Sequence, residues 1–339
     1  MLSTARRGRP GFGISLPTSG PFSTAANIYA VAERAETCGY DDVWVNDHYS
    51  YGAERHRSSA AGTVDADGVE EPNFFESLVT LAAIGARSHR IGVAVHALLL
   101  PLRDPRLLAK QISAIHELSG GGLTIAPGIG GSRDEFGHAG VPFELRGRLL
   151  DEHLAVLDTI FNREAPASFE GRYVRFTNAS FFPKPRSIQL WITGDADAAL
   201  ARVVRYGTGW FSGHGSLVGF PASAARLDEL ARAAGRDPAA IERAGDLLVC
   251  VARTHEEALR IGADTLRRRR GSLEKALMRD ALGDAQEVTE QLAARLRDGK
   301  TYLELRLVAA SVPGCLEMIE QLAAEVLPAL RREFAEPSG

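Results

Sequence analysis

The sequence is poor in cysteine and has no long apolar run, and these absences exclude several classes of protein. Its 3 cysteines, Cys38, Cys250 and Cys315, are far apart and lack C-x-x-C spacing, so neither a disulfide framework nor a zinc knuckle is indicated. No stretch approaches the roughly 18 apolar residues of a membrane span, and no apolar targeting segment follows the arginines near the N-terminus. We therefore expect a cytoplasmic protein without a membrane segment, in which residues 1–10 form a loose tail.

Net charge is also nearly absent. The 39 basic and 43 acidic residues give a formal charge of -4, which offers no electrostatic reason to expect nucleic acid as a partner. A small-molecule substrate fits this balance better. With 339 residues, of which 45% are hydrophobic, the chain is long enough for one α/β barrel with insertions, so we predict a single domain over residues 1–339.

Strand-like and helical patterns alternate along the whole chain, which is typical of parallel βαβ units. Eight short apolar segments predict strands that are buried on both faces, at residues 12–16, 42–45, 91–95, 123–126, 190–192, 209–211, 247–251 and 303–307. The main helical patterns cover residues 24–37, 105–118, 146–161, 198–206, 222–234 and 315–333. The number of strands favours a closed TIM (β/α)8 barrel over a doubly wound open sheet.

Three polar or turn-rich segments interrupt this repeat. They follow strands 2, 4 and 7, at residues 50–72, 165–185 and 271–283, and are longer than usual βα connections. The second contains an alternating pattern over residues 169–176 that predicts a small hairpin. Insertions of this kind often form the walls of a substrate pocket.

Asp47 and His48 follow the second predicted strand, at the end where a parallel barrel holds its reactive groups. An imidazole donates or accepts a proton near neutral pH, and a carboxylate fixes its tautomer or its orientation. His48 is therefore the candidate catalytic residue. The alternative is a pair that caps the following helix.

A glycine-rich loop follows the fourth strand. Gly128, Gly130 and Gly131 allow a ligand to approach backbone N–H groups that side chains would otherwise cover. The loop lacks the G-x-G-x-x-G pattern of a Rossmann fingerprint, so NAD binding in that manner is not indicated. A tight turn without a ligand is the alternative interpretation.

Thr193, Gly194 and Asp195 lie between the fifth strand and an alanine-rich helix. Backbone amides at such a helix N-terminus suit a phosphate group. Asp195 or Asp197 instead caps the helix in the alternative interpretation, and a carboxylate that faced the phosphate would repel it. Capping and phosphate binding are compatible if the aspartate turns away.

Two further patterns leave their alternatives open. The arginines at 267–270 point in different directions on a helix, which is typical of a solvated face, although contact with an anionic cofactor tail is the other possibility. The histidines form no H-E-x-x-H array, so a metal-dependent barrel hydrolase would need distant ligands. Its candidate ligands are Asp47, His48, His96 and His214.

Segments along nearly the whole chain, taken in order, resemble the luciferase-like monooxygenase superfamily of flavin- or deazaflavin-dependent TIM barrels. One of them is Pro101-Leu102-Arg103-Asp104-Pro105. The others are residues 12–14, 39–48, 108–110, 118–121, 137–143, 146–148, 169–171, 183–185, 191–194 and 207–210. An Asp-His pair after the second strand is more similar to coenzyme F420-dependent members, because luciferases proper tend to have His-His there.

The resemblance implies roles for several residues. His48 is expected in proton transfer or oxyanion stabilisation, Asp47 in a hydrogen bond to the cofactor, and a non-proline cis peptide at Ala94–Val95 in support of the ring. The cofactor-contacting loops are implied to contain Gly128, Gly130, Gly131, Thr193, Gly194 and Asp195. Gly131 replaces the glutamate of the family's sugar-phosphate dehydrogenases, and Pro127 replaces an arginine that binds flavin phosphate in luciferases.

The expected function is an F420-dependent oxidoreductase that moves a hydride between the deazaflavin and a small organic substrate. The alternatives are a two-component monooxygenase that receives reduced FMN from a separate reductase, a metal-dependent hydrolase and a flavin-binding protein without turnover. The resemblance also implies a homodimer, as in many relatives, and a separate flavin or F420 reductase as a further partner.

Overall fold

Eight parallel strands form a closed ring in the computed structural model, which describes residues 8–50, 73–213 and 219–335. The strands of the chain are β1 Gly11–Ser15, β2 Asp42–Val45, β3 Gly92–Leu99, β4 Leu123–Gly128, β5 Ala167–Glu170, β6 Arg175–Ala179, β7 Gln189–Thr193, β8 Gly209–Phe211, β9 Glu242–Val251, β10 Ala281–Gly283 and β11 Tyr302–Leu307. The ring runs β1-β2-β3-β4-β7-β8-β9-β11 and closes between β11 and β1. The predicted TIM barrel and its eight strands are confirmed.

The insertions appear at the predicted places where the structure describes them. Residues 51–72 of the first lie outside the described residues. The second contains the predicted hairpin, in which β5 pairs antiparallel with β6. The third contains a short helix and β10, which adds to the upper end of β9.

Helices surround the ring. They are α1 Ala25–Thr37, α2 Ser77–Gly85, α3 Pro105–Leu118, α4 Arg133–His138, α5 Arg146–Asn162, α6 Asp197–Tyr206, α7 Phe220–Ala233, α8 His255–Arg270, α9 Leu273–Leu277, α10 Ala285–Arg297, α11 Val312–Gln321 and α12 Leu327–Glu333. A π-helical turn at Leu322–Val326 separates the last two helices, which the sequence pattern predicts as one. Pro328 explains the break, because proline has no N–H to bond the carbonyl four residues earlier. None of these helices in the described part of the chain is long and apolar enough to span a bilayer.

The interior of the ring is filled with side chains. Seven of the eight strands contribute one buried residue each to this cluster, namely Trp44, Ala94, Ala126, Trp191, Phe211, Ala244 and Tyr302. The Trp44 indole N–H donates to Tyr302 Oη at 2.8 Å, and this hydroxyl donates to Asp42 Oδ2 at 2.8 Å. Because this aromatic floor closes the ring from below, a ligand has room at the carboxyl ends of the strands, which we call the barrel mouth.

Candidate active site

His48 lies at the barrel mouth directly after β2, and a carboxylate orients it. Its Nδ1 is 3.1 Å from Oε1 of Glu135, whose side chain is fully buried. The same oxygen accepts the Tyr49 backbone N–H at 2.7 Å, and the Phe74 ring packs edge-on against the imidazole. A carboxylate only accepts hydrogen bonds, so in a neutral imidazole it favours a proton on Nδ1 and the acceptor lone pair on Nε2. The geometry is that of an oriented acid–base residue.

Asp47 joins three elements beneath His48. Its side chain is only 2% exposed. Oδ1 accepts from Ser77 Oγ at 2.8 Å and from Arg103 Nη2 at 2.5 Å, while Oδ2 accepts the Leu99 backbone N–H at 2.9 Å. Asp47 thereby ties the end of β2 to α2 and to the segment after β3. The predicted hydrogen bond from Asp47 to a cofactor stays a prediction.

The non-proline cis peptide lies at His96–Ala97, two residues beyond the expected Ala94–Val95 bond. The expectation is wrong because β3 continues to Leu99, so its upper end is higher than the apolar pattern indicates. Ala94 belongs to the aromatic floor, and Val95 packs in the layer between strands and helices. A cofactor role for Ala94 and Val95 stays a prediction. The cis peptide bond on which it was based lies elsewhere, at His96–Ala97.

His96 is held by charged groups from the opposite side of the ring. Its Nδ1 is 3.1 Å from Oε2 of the buried Glu304, and its ring stacks on Phe211 with centroids 3.5 Å apart. Arg306 Nε lies 3.2 Å from Glu304 Oε1 and 3.0 Å from Asp246 Oδ2. Burial raises the pKa of the Asp246 carboxyl, but the nearby positive charges, of which Arg306 is the strongest, together outweigh burial and lower this pKa. His96, Glu304, Arg306 and Asp246 therefore form a row of basic and acidic side chains in alternation on this side of the barrel mouth.

This row of charged side chains borders a cavity of about 180 Å³. Ser15, Asn46, Arg269 and Arg306 are among the residues that line it. It is one pocket at the carboxyl ends of the strands with room for a small polar ligand.

The predicted glycine loop has structural reasons for two of its three glycines. A Cβ at Gly128 would lie 2.7 Å from Ala97 Cβ. Gly130 has a φ of +78°, and a Cβ there would lie 2.6 Å from the Phe136 ring. Within the part of the chain that the structure describes, no atom lies within 4 Å of the Cβ position of Gly131.

Gly131 therefore offers a clean test of whether a ligand contacts this loop. We expect Gly131→Leu to leave the fold intact and to weaken binding of the ligand about tenfold by occupying its space. Thermal unfolding and ligand titration measure the two effects. Gly137→Leu is the matched control, because its Cβ position in α4 is also free of contacts within 4 Å. Unchanged affinity in Gly131→Leu would remove this loop from the site.

Gly194 and Asp195 end up at the same mouth as Gly128, because β4 and β7 are neighbouring parallel strands. Gly194 has a φ of +119°, which favours glycine. Asp195 Oδ1 accepts from Ser212 Oγ at 2.9 Å and from the Gly213 N–H at 3.2 Å. The carboxylate thus bonds to the end of β8. The interpretation that Asp195 or Asp197 caps α6 is wrong, because no described side chain makes a cap hydrogen bond to this helix.

The four-arginine run splits between several partners. Arg267 pairs with Asp264 on its own helix at 2.8 Å. Arg270 makes two hydrogen bonds, of 2.7 and 2.8 Å, to the buried Asp280 in the third insertion. Arg269 faces the 180 Å³ cavity. The predicted divergence of the run is confirmed, and its contact with a cofactor tail stays a prediction.

The metal alternative gains no support from the described residues. Within residues 8–50, 73–213 and 219–335, no group of three His, Cys, Asp or Glu side chains has the arrangement of a metal site. His48 and His96 each bond a carboxylate of their own, and His214 lies outside the described residues.

Sequence reasoning missed Glu135, Glu304 and Arg306. Glu135 is 87 residues from His48 in the chain, and nothing in its local pattern distinguishes a buried carboxylate from a solvated one. For Glu304 and Arg306, the signal is a pair of charged residues at alternate positions of a strand whose other residues are Tyr302 and leucines. The two-residue period of β11 places these charged residues on the same face as the buried Tyr302 and therefore indicates them.

Comparison with known proteins gives the family. A family model described as luciferase-like monooxygenase matches residues 9–311. The F420-dependent glucose-6-phosphate dehydrogenase of Amycolatopsis mediterranei is 23% identical over 240 residues, which cover 69% of this chain and 67% of that protein.

Two solved structures share the fold. An F420-dependent secondary alcohol dehydrogenase, solved with an F420-acetone adduct, aligns with a TM-score of 0.78 at 18% identity and covers 95% of this chain and 99% of that chain. The oxygenating component of 3,6-diketocamphane monooxygenase from Pseudomonas putida, solved with FMN, aligns with a TM-score of 0.71 at 18% identity, over 94% and 98% of the two chains. With the family model spanning most of its length, the chain belongs to the luciferase-like monooxygenase family.

Proposed function

We propose that the protein is an F420-dependent oxidoreductase that transfers a hydride between the deazaflavin and a small organic substrate. The observation that carries the proposal is the Asp47-His48 pair at the barrel mouth, in which buried Glu135 orients His48. An oriented imidazole at that place suits the proton that accompanies a hydride transfer.

The residues at the mouth fit such a cofactor. Thr193 Oγ1 is buried and has no hydrogen-bond partner among the described residues, so it is available to a polar group of a ligand. Among the described residues, no atom lies within 4 Å of the Gly131 Cβ position, and no side chain caps the N-terminus of α6. In this proposal Thr193, Gly194 and the first amides of α6 hold the phosphate.

When bound, the deazaflavin supplies two-electron hydride chemistry. His48 donates or accepts the substrate proton at Nε2, while Glu135 keeps the proton on Nδ1 and fixes the plane of the ring. Asp47 keeps the end of β2 in place through Ser77 and Arg103. The Glu304–His96 pair positions an imidazole on the other side of the mouth.

The relatives support both this proposal and one alternative. Two of the similar proteins are named as F420-dependent dehydrogenases, and one is an FMN-bound monooxygenase. If the cofactor is reduced FMN, the protein is the oxygenating part of a two-component system and needs a separate reductase. A homodimer is a further expectation under either cofactor.

Fluorescence titration of the purified protein with F420, oxidised FMN and reduced FMN tests the proposal. We expect saturable binding of F420 at micromolar or lower concentration and weaker binding of both forms of FMN. Tight binding of reduced FMN together with oxygen-dependent turnover would replace the proposal by the monooxygenase alternative. Binding of F420 with no turnover across a broad panel of alcohols, aldehydes and enones would leave a cofactor-binding protein without catalysis.

A further inference from the structure

A groove of about 650 Å³ lies on the outside of the barrel between α5, the tip of the β5–β6 hairpin and α6. Four arginines line it, and we call it the arginine groove. They are Arg148, Arg172, Arg202 and Arg205. Its remaining wall is partly apolar, with small alanines from α5 and α6 and the rings of Phe169, Tyr173 and Tyr206. A groove of this volume with a cationic lining suits an extended anionic ligand.

The two carboxylates in the groove, Asp151 and Glu152, already accept hydrogen bonds from other groups of the protein. Asp151 binds Arg202 through two hydrogen bonds of 2.6 and 3.1 Å. Glu152 accepts the backbone N–H groups of Arg172, Tyr173 and Val174 at 2.9, 2.7 and 2.6 Å, and so holds the hairpin tip. Neither acid neutralises the other three arginines.

Three guanidinium groups therefore lack an ion-pair partner in the described part of the chain. Arg172 lies 5.6 Å from the Tyr173 ring centroid and Arg205 lies 4.9 Å from that of Tyr206, so aromatic walls hold both side chains along the groove. Arg148, on the first turn of α5, makes no ion pair within 4.0 Å to any acidic residue that the structure describes. The hydroxyl of Tyr173 is buried without a hydrogen-bond partner among the described residues.

The upper end of the groove meets the barrel mouth. Ala198 in its wall belongs to the first turn of α6, just after Gly194. On the other side, Arg202 Nη2 contacts the Gly147 carbonyl at 3.4 Å, and a Cβ at Gly147 would lie 3.7 Å from Ile129 of the glycine loop. The groove thus continues outward from the place where the proposed function puts the phosphate.

We propose that the arginine groove binds the oligoglutamate tail that F420 carries beyond its phosphate. This inference rests on the proposed function, since it needs the deazaflavin phosphate at the first turn of α6. A row of side-chain carboxylates complements three unpaired guanidinium groups, each of which can form a bidentate hydrogen-bonded pair with a carboxylate. FMN has no such tail, so the groove would add affinity for F420 alone.

The experiment compares two ligands and two variants. The ligands are F420 with its full oligoglutamate tail and the same cofactor trimmed to its phospholactyl group, each titrated by fluorescence at low and high salt. The test variant is Arg148→Gln/Arg172→Gln/Arg205→Gln. The control variant is Arg163→Gln/Arg186→Gln/Arg332→Gln, which changes the net charge equally at exposed arginines outside the groove. Circular dichroism verifies that both variants fold.

We expect the unmodified protein to bind the full-length cofactor roughly tenfold more tightly than the trimmed one at low salt, and less so at high salt. The groove variant should lose this difference while it retains its affinity for the trimmed cofactor, and the control variant should keep the difference. Equal affinity of the unmodified protein for both ligands overturns the groove proposal and leaves the proposed function standing. An equal loss in both variants, which would reflect overall charge, also overturns the groove proposal. Failure of either deazaflavin to bind overturns the groove proposal and the proposed function together.

Discussion

Replacement of His48 by alanine is expected to lower turnover about 100-fold or more, with little change in folding or in cofactor affinity. The imidazole is the group at the end of β2 that a buried carboxylate orients for proton exchange. Its side chain is 18% exposed, so its removal leaves a small polar space that water can fill. Steady-state rates and cofactor titration of the same preparation separate the two effects.

Glu135→Gln refines this prediction. A glutamine oxygen still accepts from His48 Nδ1 and from the Tyr49 N–H, but it lacks the charge that stabilises a protonated ring. We expect a loss of about tenfold in turnover and a displaced pH–rate profile. His89→Ala, at an exposed site on the opposite end of the barrel, is the control. Turnover unchanged in His48→Ala would rule out His48 as the proton-transfer residue.

Replacement of Asp47 by alanine is expected to reduce the free energy of unfolding by about 3–5 kcal/mol. The buried carboxylate accepts hydrogen bonds from Ser77, Arg103 and the Leu99 backbone. Its loss leaves the Ser77 hydroxyl and the Leu99 N–H without this acceptor and removes the closer of two acidic partners of Arg103. Urea denaturation followed by fluorescence measures the change.

Asp104→Ala is the matched control for this variant. Asp104 is the N-cap of α3 and accepts the N–H of Arg106 and of Leu107 from an exposed position, so its loss should cost about 1 kcal/mol. Asp47→Asn should fall between the two, because the amide keeps one acceptor oxygen and loses the charge. A cost for Asp47→Ala no larger than that for Asp104→Ala would contradict the view that Asp47 ties β2 to α2 and β3.

The sequence pattern predicts the barrel well because strands and helices both show where they are buried. Strands covered on both faces appear as short apolar runs, and helices packed against them appear as segments with helical periodicity. The pattern fails at the upper end of β3. The predicted strand stops before His96, the first polar residue, yet β3 continues because Glu304 and the Phe211 ring accommodate this side chain inside the mouth. The misplaced cis peptide follows from the same error.

The site is predictable only in its local parts. Asp47 and His48 stand out because a strand ends on them, and the glycines stand out because glycine permits backbone conformations that other residues avoid. Their partners depend on contacts that the ring creates. Glu135, after β4, bonds His48, after β2, although β3 lies between these two strands in the ring. Asp195 bonds to the end of β8 instead of capping its own helix. One-dimensional spacing contains neither fact.

Closure of the ring has a consequence for how the protein is made. β1 at Gly11–Ser15 bonds to β11 at Tyr302–Leu307, so one edge of β1 stays unpaired until residues 302–307 have left the ribosome. During that time the growing chain presents an open edge to any other strand. Pairing across so long a stretch of chain is also slow. Deletion of β11 would therefore expose the edges of β1 and β9. We expect such a protein to aggregate through these edges and not to form a smaller functional barrel.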